Sequence, residues 1–588
     1  VRETATDDRA NAPRRAPVGA RRRVVARGAE ILCALLLAAM ALNMLAVIRY
    51  RKGITTDEIL MIPAGYYQLL TTEFRLVNEH PPLSKLVAGL PLLFLRPKAL
   101  DHAPAPDKQW DCVVTFWAEN RADFGRISFW ARVPMIALAV ALGVLLFAFA
   151  RDLFGPRAAV VAVALFTLEP TVLAHGRVVQ TDVPAAFGYL LLFYTLRRYA
   201  LAPTWRRALL TGLAAGLGVV AKFSMLLAAP VLAAAFVALL WRAPRDGRTR
   251  TALTGHACVA ALALLFVVHA AYSFDLRPLA GPDVHLIGLL YPENVAPVAR
   301  AVAALARVLP ADFVLGVLWQ IHHNAEGHPA SLLGMYSRTG WWYYFPVAFA
   351  LKTTLPFLLL SLTSLAWAGR ELFAKRDARF LWLLAPVAVY TAFVMTSRIN
   401  IGVRYMLPAY PFLFALSGAL LERLARAPRL RRAGLALAAA LLAWHGFEAA
   451  RAYPDYVPYM NQLASGRPHW RLLSDSNVEW GDDVRGMADY LKARGETRVR
   501  GALLGGFLTP PYYGLDYADM TVLSDDRLPH TRYVAVGASY LNGSSAEMAK
   551  PAGRTFTDAE MINFFDAYRR REPEAVIGGS IYLFREGE

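Results

Sequence analysis

A chain of 588 residues that is 56% hydrophobic and 18% charged, with a mean hydropathy of +0.34, is too apolar for an ordinary soluble protein yet leaves room for a soluble portion. A formal net charge of +18 would suit a nucleic-acid partner, but the arginines occur in short clusters between apolar runs and not along one face of a soluble domain, which argues against one. Cys33 and Cys258 lie inside apolar runs and Cys112 in a polar stretch, so there is no disulfide framework within the chain.

Residues 1–28 form a basic tail with Arg14, Arg15, Arg21, Arg22 and Arg23. The apolar run Ile31–Ile48 follows, with no convincing small-residue cleavage site after it, and reads as a retained signal anchor. Runs of the length needed to cross about 30 Å of hydrocarbon recur at Val133–Ala150, Phe223–Trp241, Thr251–Phe274, Thr353–Gly369, Phe380–Ser397 and Tyr405–Leu421. Weaker ones lie at Ala158–Ala174, Val183–Leu196, Ala208–Ala221 and Ala433–Phe447. The expected class is a polytopic α-helical membrane protein with about 11 spans, filling residues 29–450.

Arginines gather in the tail, 151–157, 197–207, 242–250, 370–379 and 423–432, which the positive-inside rule places in the cytoplasm. The amino terminus is then cytoplasmic, in a bacterial-type inner or plasma membrane. The first loop (50–130), the second large loop (275–340) and the carboxyl-terminal region (451–588) are expected to be extracytoplasmic. The band Trp341–Phe345 reads as an aromatic belt, with Lys352 just behind it. Residues 451–588 lose the long apolar runs and read as a soluble α/β domain, with strands at Arg498–Leu504, Tyr533–Gly537 and Ser580–Phe584 and a helix near Asp482. A second helix is expected from Thr557, where Thr557 and Glu560 have capping-box spacing.

The residues that carry chemistry fall on one side. Asp57-Glu58, just past the first span, is either a solvated acidic pair or a base whose pKa is raised by partial desolvation. In His80-Pro81-Pro82-Leu83-Ser84-Lys85 the prolines open a helix, which either merely starts there or aims His80 and Lys85 at a shared pocket. The stretch from His175 to Pro184 is a tight loop in which Asp182 is a helix N-cap or a second acidic site, and Glu169 lies within the preceding span. Lys222, Lys352, Arg398 and Arg404 at span ends are snorkelling cations or, converging, a cradle for an anionic phosphate. His322, His323 and His328 lack a convincing zinc spacing, so no metal ligand is assigned, and a divalent cation is left open.

The acidic pair, HPPLSK, HGRVVQTDVPAA, GLGVVAKFS, HPASLLGMYSRTGWWYYFPVAFALKTTLPF and INIGVRYMLPAYPF together resemble the GT-C glycosyltransferases, in particular the branch of the protein O-mannosyltransferases and lipid A aminoarabinose transferases. The resemblance covers about residues 30–450. It implies a bundle with a catalytic first loop and a sugar donor carried on a polyprenyl phosphate. It also implies Asp57 as the catalytic acid with Glu58 as its partner, and Asp182 in the second acidic motif. His80 and Lys85 fall in the loop helix, Arg132 matches a recurring arginine, and Lys222 and Arg404 lie on the donor-phosphate side. His175, Lys352 and Arg398 complete the expected substrate-binding set. The eukaryotic members' inserted β-trefoil is not recognisable here, so the acceptor is a protein, a lipid or a glycan. The implied reaction is an inverting transfer to an acceptor hydroxyl. The rivals are a flippase of lipid-linked sugars, which would show repeats and a midplane site, and a non-catalytic envelope scaffold.

Overall fold

A computed structural model describes residues 18–101, 105–428, 431–506, 508–522, 527–545, 560 and 563–586. Each expected span is helical, and the chain is a helical membrane protein with a sheet-containing carboxyl-terminal domain. Among the described residues, six helical stretches are long and apolar enough to cross a membrane: Val25–Tyr50, Arg121–Phe154, Phe223–Arg242, Gly247–Ala271, Ala378–Met395 and Arg431–Arg451. The others are shorter or more polar. Pro156–Leu168 has 13 residues, about 20 Å of helix, too short to cross alone. The expected span Ala158–Ala174 is interrupted because Glu169 is extended (φ −75°, ψ 120°) and Pro170, which has no amide hydrogen to donate, opens a new short helix ending at His175.

The first loop is not open chain. Thr55 caps the helix Thr56–Thr71 through a capping box with Glu58, and a second helix, Leu83–Gly89, crosses it closely. The crossing is closest at Gly65, where an added Cβ would lie 1.9 Å from the Lys85 carbonyl oxygen. The Trp117 indole donates to the Ile59 carbonyl (3.0 Å) and the Gln68 amide to that of Leu76 (2.9 Å), which ties the loop's helices into one layer.

The second large loop also folds more fully than its composition suggests. It forms helices Gly281–Leu290, Val295–Leu305 and Ala311–Glu326, then an antiparallel hairpin of β1 (Ala330–Leu332) and β2 (Met335–Ser337). The aromatic band divides: Trp342 is exposed, but Tyr344 and Phe345 are buried in the bundle at the start of the helix Tyr344–Lys352.

In the carboxyl-terminal domain, β3 (Arg498–Ala502), β4 (Asp516–Asp519), β5 (Tyr533–Gly537), β6 (Ala575–Ile577) and β7 (Ile581–Arg585) form one sheet in the order β4-β3-β5-β7-β6. β3 pairs in parallel with β4 and β5, while β7 is antiparallel to β5 and β6. The amphipathic helix Val484–Lys492 lays Val484, Met487, Ala488 and Leu491 on this sheet. Strands β3, β5 and β7 coincide with those expected; β4 and β6 are short edge strands with weak alternation. The expected helix start at Thr557 and the tail through residue 17 lie outside the described residues.

The Gly65 crossing gives a direct test of the loop's architecture. Gly65→Ala is expected to lower the Tm of the purified protein by several degrees and to reduce activity with it, because the clash is with backbone that cannot rotate away. An unchanged Tm would show that the two helices do not pack this way.

Candidate functional site

Four segments distant in sequence meet at one end of the bundle. Asp57 comes from the first turn of Thr56–Thr71, Asp182 from the first turn of Asp182–Leu201, Lys222 from the residue that ends Trp205–Ala221, and Arg404 from the 3-10 turn Val403–Ala409. The Arg404 guanidinium donates to Asp57 Oδ2 at 2.7 Å, and the same Nη1 lies 3.7 Å from Asp182 Oδ2. Lys222 Nζ is paired with Asp182 Oδ1 and stands 3.7 Å from the Tyr405 ring centroid. The array is thus two carboxylates and two cations, alternating in sign, with Asp57 about a quarter exposed and Asp182 almost fully buried.

A segment absent from the expected set completes it. Residues 474–483 (SDSNVEWGDD) leave the membrane region and run across the site. The Trp480 indole N–H donates to Asp57 Oδ1 at 3.2 Å, its ring lies under the Arg404 guanidinium (4.5 Å), and it packs on His175 (ring centroids 5.3 Å). Its neighbours are stitched to the bundle. Asp482 accepts from Arg177 (2.9 Å), Asn477 accepts from the Val403 amide (2.9 Å), and the Ser476 hydroxyl donates to the Ile401 carbonyl (2.6 Å). Asp475 is held in a left-handed backbone (φ 52°), a conformation few residues other than Gly, Asn and Asp adopt. Burial pushes its carboxyl up to about 6 even though Arg404 pulls it down. The sequence signal for this segment is its density of acids beside a Trp directly after the last apolar run.

The remaining expected residues take distinct places. Glu58 is fully buried and turned away from Asp57: both its oxygens are held by Arg132 (2.7 and 2.6 Å), with the Val179 amide (2.9 Å) and Thr55 amide (2.8 Å) also donating. Glu58 and Arg132 therefore lock the first-loop helix to the bundle and the 176–181 loop. His80 is half-buried and within electrostatic reach of Asp57, Lys222 and Arg404; burial and those cations push it down to about 4, so it is a neutral imidazole at pH 7. Lys85 donates to the Val77 (2.5 Å) and His80 (2.8 Å) carbonyls and shapes the loop that carries His80. His175 is buried against Trp480, with no protein partner at Nδ1. Lys352 donates to the carbonyls of Val457 and Asn477 and so anchors the chain that leads into the carboxyl-terminal domain. Arg398 is exposed and bound to the 324–325 turn, outside the cluster. Among the described residues no group of three or more His, Cys, Asp or Glu side chains converges to hold a metal.

Burial alone would raise the Asp57 carboxyl, but the Arg404 charge and hydrogen bond, the His80 field and the Trp480 N–H together hold it below the ordinary aspartate range. It is a carboxylate ion at neutral pH, fixed in direction by two donors.

This geometry can be set beside known proteins. Residues 123–272 match the family described as dolichyl-phosphate-mannose-protein mannosyltransferase. The GT-C resemblance is borne out. With it stands the assignment of this chain as a membrane glycosyltransferase of GT-C type. Solved structures with a similar course include ArnT from Cupriavidus metallidurans bound to undecaprenyl phosphate, at 13% identity and TM-score 0.47, covering 94% of this chain and 97% of that one. The S. cerevisiae protein O-mannosyltransferase Pmt1–Pmt2 complex bound to its sugar donor gives 12% identity and TM-score 0.49 over 72% of this chain and 89% of that one. The Archaeoglobus fulgidus oligosaccharyltransferase gives 12% and 0.47 over 88% and 71%. Compared by sequence with curated proteins, the chain has no significant match.

The pairing of Asp57 predicts a pH signature. With Arg404 present the acid limb of kcat/KM falls below about pH 4, the ordinary aspartate value, since a base fails only as pH drops through its pKa. In Arg404→Gln burial is left uncompensated, the Asp57 pKa rises, and the limb moves up by about a unit or more, equivalent to about 1.4 kcal/mol. A limb that stays in place would show that Asp57 and Arg404 do not interact in the free enzyme.

Proposed function

We propose that the chain transfers a sugar from a polyprenyl-phosphate donor to an acceptor hydroxyl, with inversion, on the extracytoplasmic face of a bacterial-type inner or plasma membrane. The observation that carries this reading is the single guanidinium shared by Asp57 and Asp182, with Lys222 beside it. An oxyanion needs cations, and an acceptor hydroxyl needs a base; both lie here within a few ångströms of each other. Asp57 takes the proton of the acceptor O–H as that oxygen bonds to the anomeric carbon. The bond from the anomeric carbon to the phosphate oxygen breaks, its electron pair stays on the lipid phosphate, and Arg404 and Lys222 stabilise that charge.

Buried polar atoms without a protein partner, Asp182 Oδ2, Arg404 Nε and His175 Nδ1 among them, support a ligand at this place. A phosphate drawing on Arg404 also loosens its hold on Asp57 and raises the basicity of that carboxylate when the donor is in place. His80, neutral and facing the cluster, is assigned to sugar or acceptor hydroxyls, and Glu58, Arg132, Lys85 and Lys352 to positioning. Mannose is the first sugar to test, because the matching family is named for it. The arginine clusters support a cytoplasmic tail at 1–28 and place the site, with the domain 451–588 over it, on the opposite side. That position suits the domain to selecting the acceptor, whether protein, lipid or glycan.

The test is transfer of radiolabel from polyprenyl-phosphate mannose by the full-length protein in lipid nanodiscs, with cell-envelope extract as acceptor. Asp57→Asn is expected to lower the rate about 10²–10⁴-fold while still binding polyprenyl phosphate. Arg404→Gln is expected to weaken that binding. Asp57→Asn activity within about threefold of wild type, less than about 1 kcal/mol of barrier, would remove Asp57 as the base. Movement of the donor across the bilayer without covalent transfer would replace the reading with a flippase.

A further inference from the structure

A cavity of about 710 Å³ lies away from the Asp57 cluster, between the carboxyl-terminal domain and the ends of two long apolar helices. Its wall takes Arg49 from the last turn of Val18–Tyr50, Arg121 from the turn before Phe124–Phe154, and Arg485 and Lys492 from the helix Val484–Lys492 of the soluble domain. Three parts of the chain thus bring cations to one space. Among the described residues none of these four forms an ion pair with an acid, and Asp489 is the single carboxylate on the lining. The other two basic lining residues differ: Lys52 is paired with Asp455 and Asp483, and Arg132 with Glu58. Uncompensated positive charge therefore remains only on the side facing the cavity.

The cations are also seated for recognition. The Arg49 guanidinium lies over the Phe129 ring (5.8 Å) and that of Arg121 over Tyr512 (5.9 Å), which fixes each plane by one face and leaves N–H edges for an oxyanion. Arg485 donates to the Arg49 carbonyl (2.8 Å) and Arg121 to that of Pro511 (3.2 Å), so the domain helix and the loop are both held at the rim. The floor is apolar, with Ile48 and Phe124.

We infer that this cavity binds the phosphate headgroup of an anionic glycerophospholipid, which bridges the membrane bundle to the carboxyl-terminal domain. A lipid is favoured over a soluble anion because the wall includes the ends of two membrane-length helices, with Tyr50 exposed beside it. That is the level at which lipid phosphates lie, and where an interfacial aromatic belongs. An acyl chain can then follow the apolar floor while the phosphodiester meets the arginine forks. The site is separate from the proposed donor cluster, whose cations, Arg404 and Lys222, do not line it.

The full-length protein in detergent micelles, titrated with phosphatidylglycerol or phosphatidylcholine and read by native mass spectrometry, tests this. Phosphatidylglycerol is expected to be retained at least about tenfold more tightly than phosphatidylcholine, and R49Q/R485Q/K492Q to lose at least about tenfold, since each juxtamembrane cation contributes about fivefold. Millimolar inorganic phosphate should not displace the lipid, and Arg404→Gln should retain it. The exposed single variant Arg121→Gln is expected to cost about threefold, and it keeps the result readable if the triple variant misfolds. Equal retention of the two lipids, wild-type retention by the variants, displacement by inorganic phosphate, or loss of the lipid in Arg404→Gln would each overturn the assignment.

Discussion

Arg404 is the constraint around which this end of the molecule is arranged. Two carboxylates buried side by side repel each other and lose their hydration, and neither could remain ionised without a shared cation. Because Arg404 spans Asp57 and Asp182, and Lys222 completes the neutralisation of Asp182, the first loop, the loop before Asp182, the end of the helix at Ala221 and the turn at Val403–Ala409 are each required for the others' charges to be tolerated. The same pairing that makes the array stable leaves it responsive: any anion that competes for Arg404 changes the basicity of Asp57.

The second constraint is Glu58. Its carboxylate, the neighbour of Asp57 in sequence, caps its own helix, receives a forked pair of bonds from Arg132 and accepts the Val179 amide. Removing either member would leave a buried charge alone, at a cost of about 3–5 kcal/mol. The adjacent acids thus divide the work, one holding the loop in place and one facing the cluster. The division follows from helical geometry, since successive side chains point about 100° apart around the axis.

The helical stretches were legible because hydrocarbon thickness imposes a length and apolarity that composition displays directly, and the strands β3, β5 and β7 because each is a β-rich run closing the core of the small domain. The convergence of Asp57, Asp182, Lys222 and Arg404 could be read only through the resemblance, because their separation in sequence carries no distance information. The break at Glu169–Pro170 was hidden by the apolar residues on either side of it. Trp480 and its neighbours were missed because their roles depend on where the chain returns after the last apolar helix, and no local periodicity encodes that path. The same reason explains Lys352 and Arg398: as span-end cations they look alike, yet one is sealed by backbone carbonyls of the returning chain and the other faces solvent.

The short helix Pro156–Leu168, ending at an extended Glu169, has a further effect. With about 20 Å of rise before the chain turns, the segment from Pro170 to Asp182 is entirely buried and lies deeper than a full-length crossing would put it. The reaction plane is thereby lowered toward the hydrocarbon. A substrate with a membrane-soluble tail can present its head at that depth without being lifted out of the bilayer, whereas a fully water-soluble sugar nucleotide would have to shed its hydration to reach the same plane.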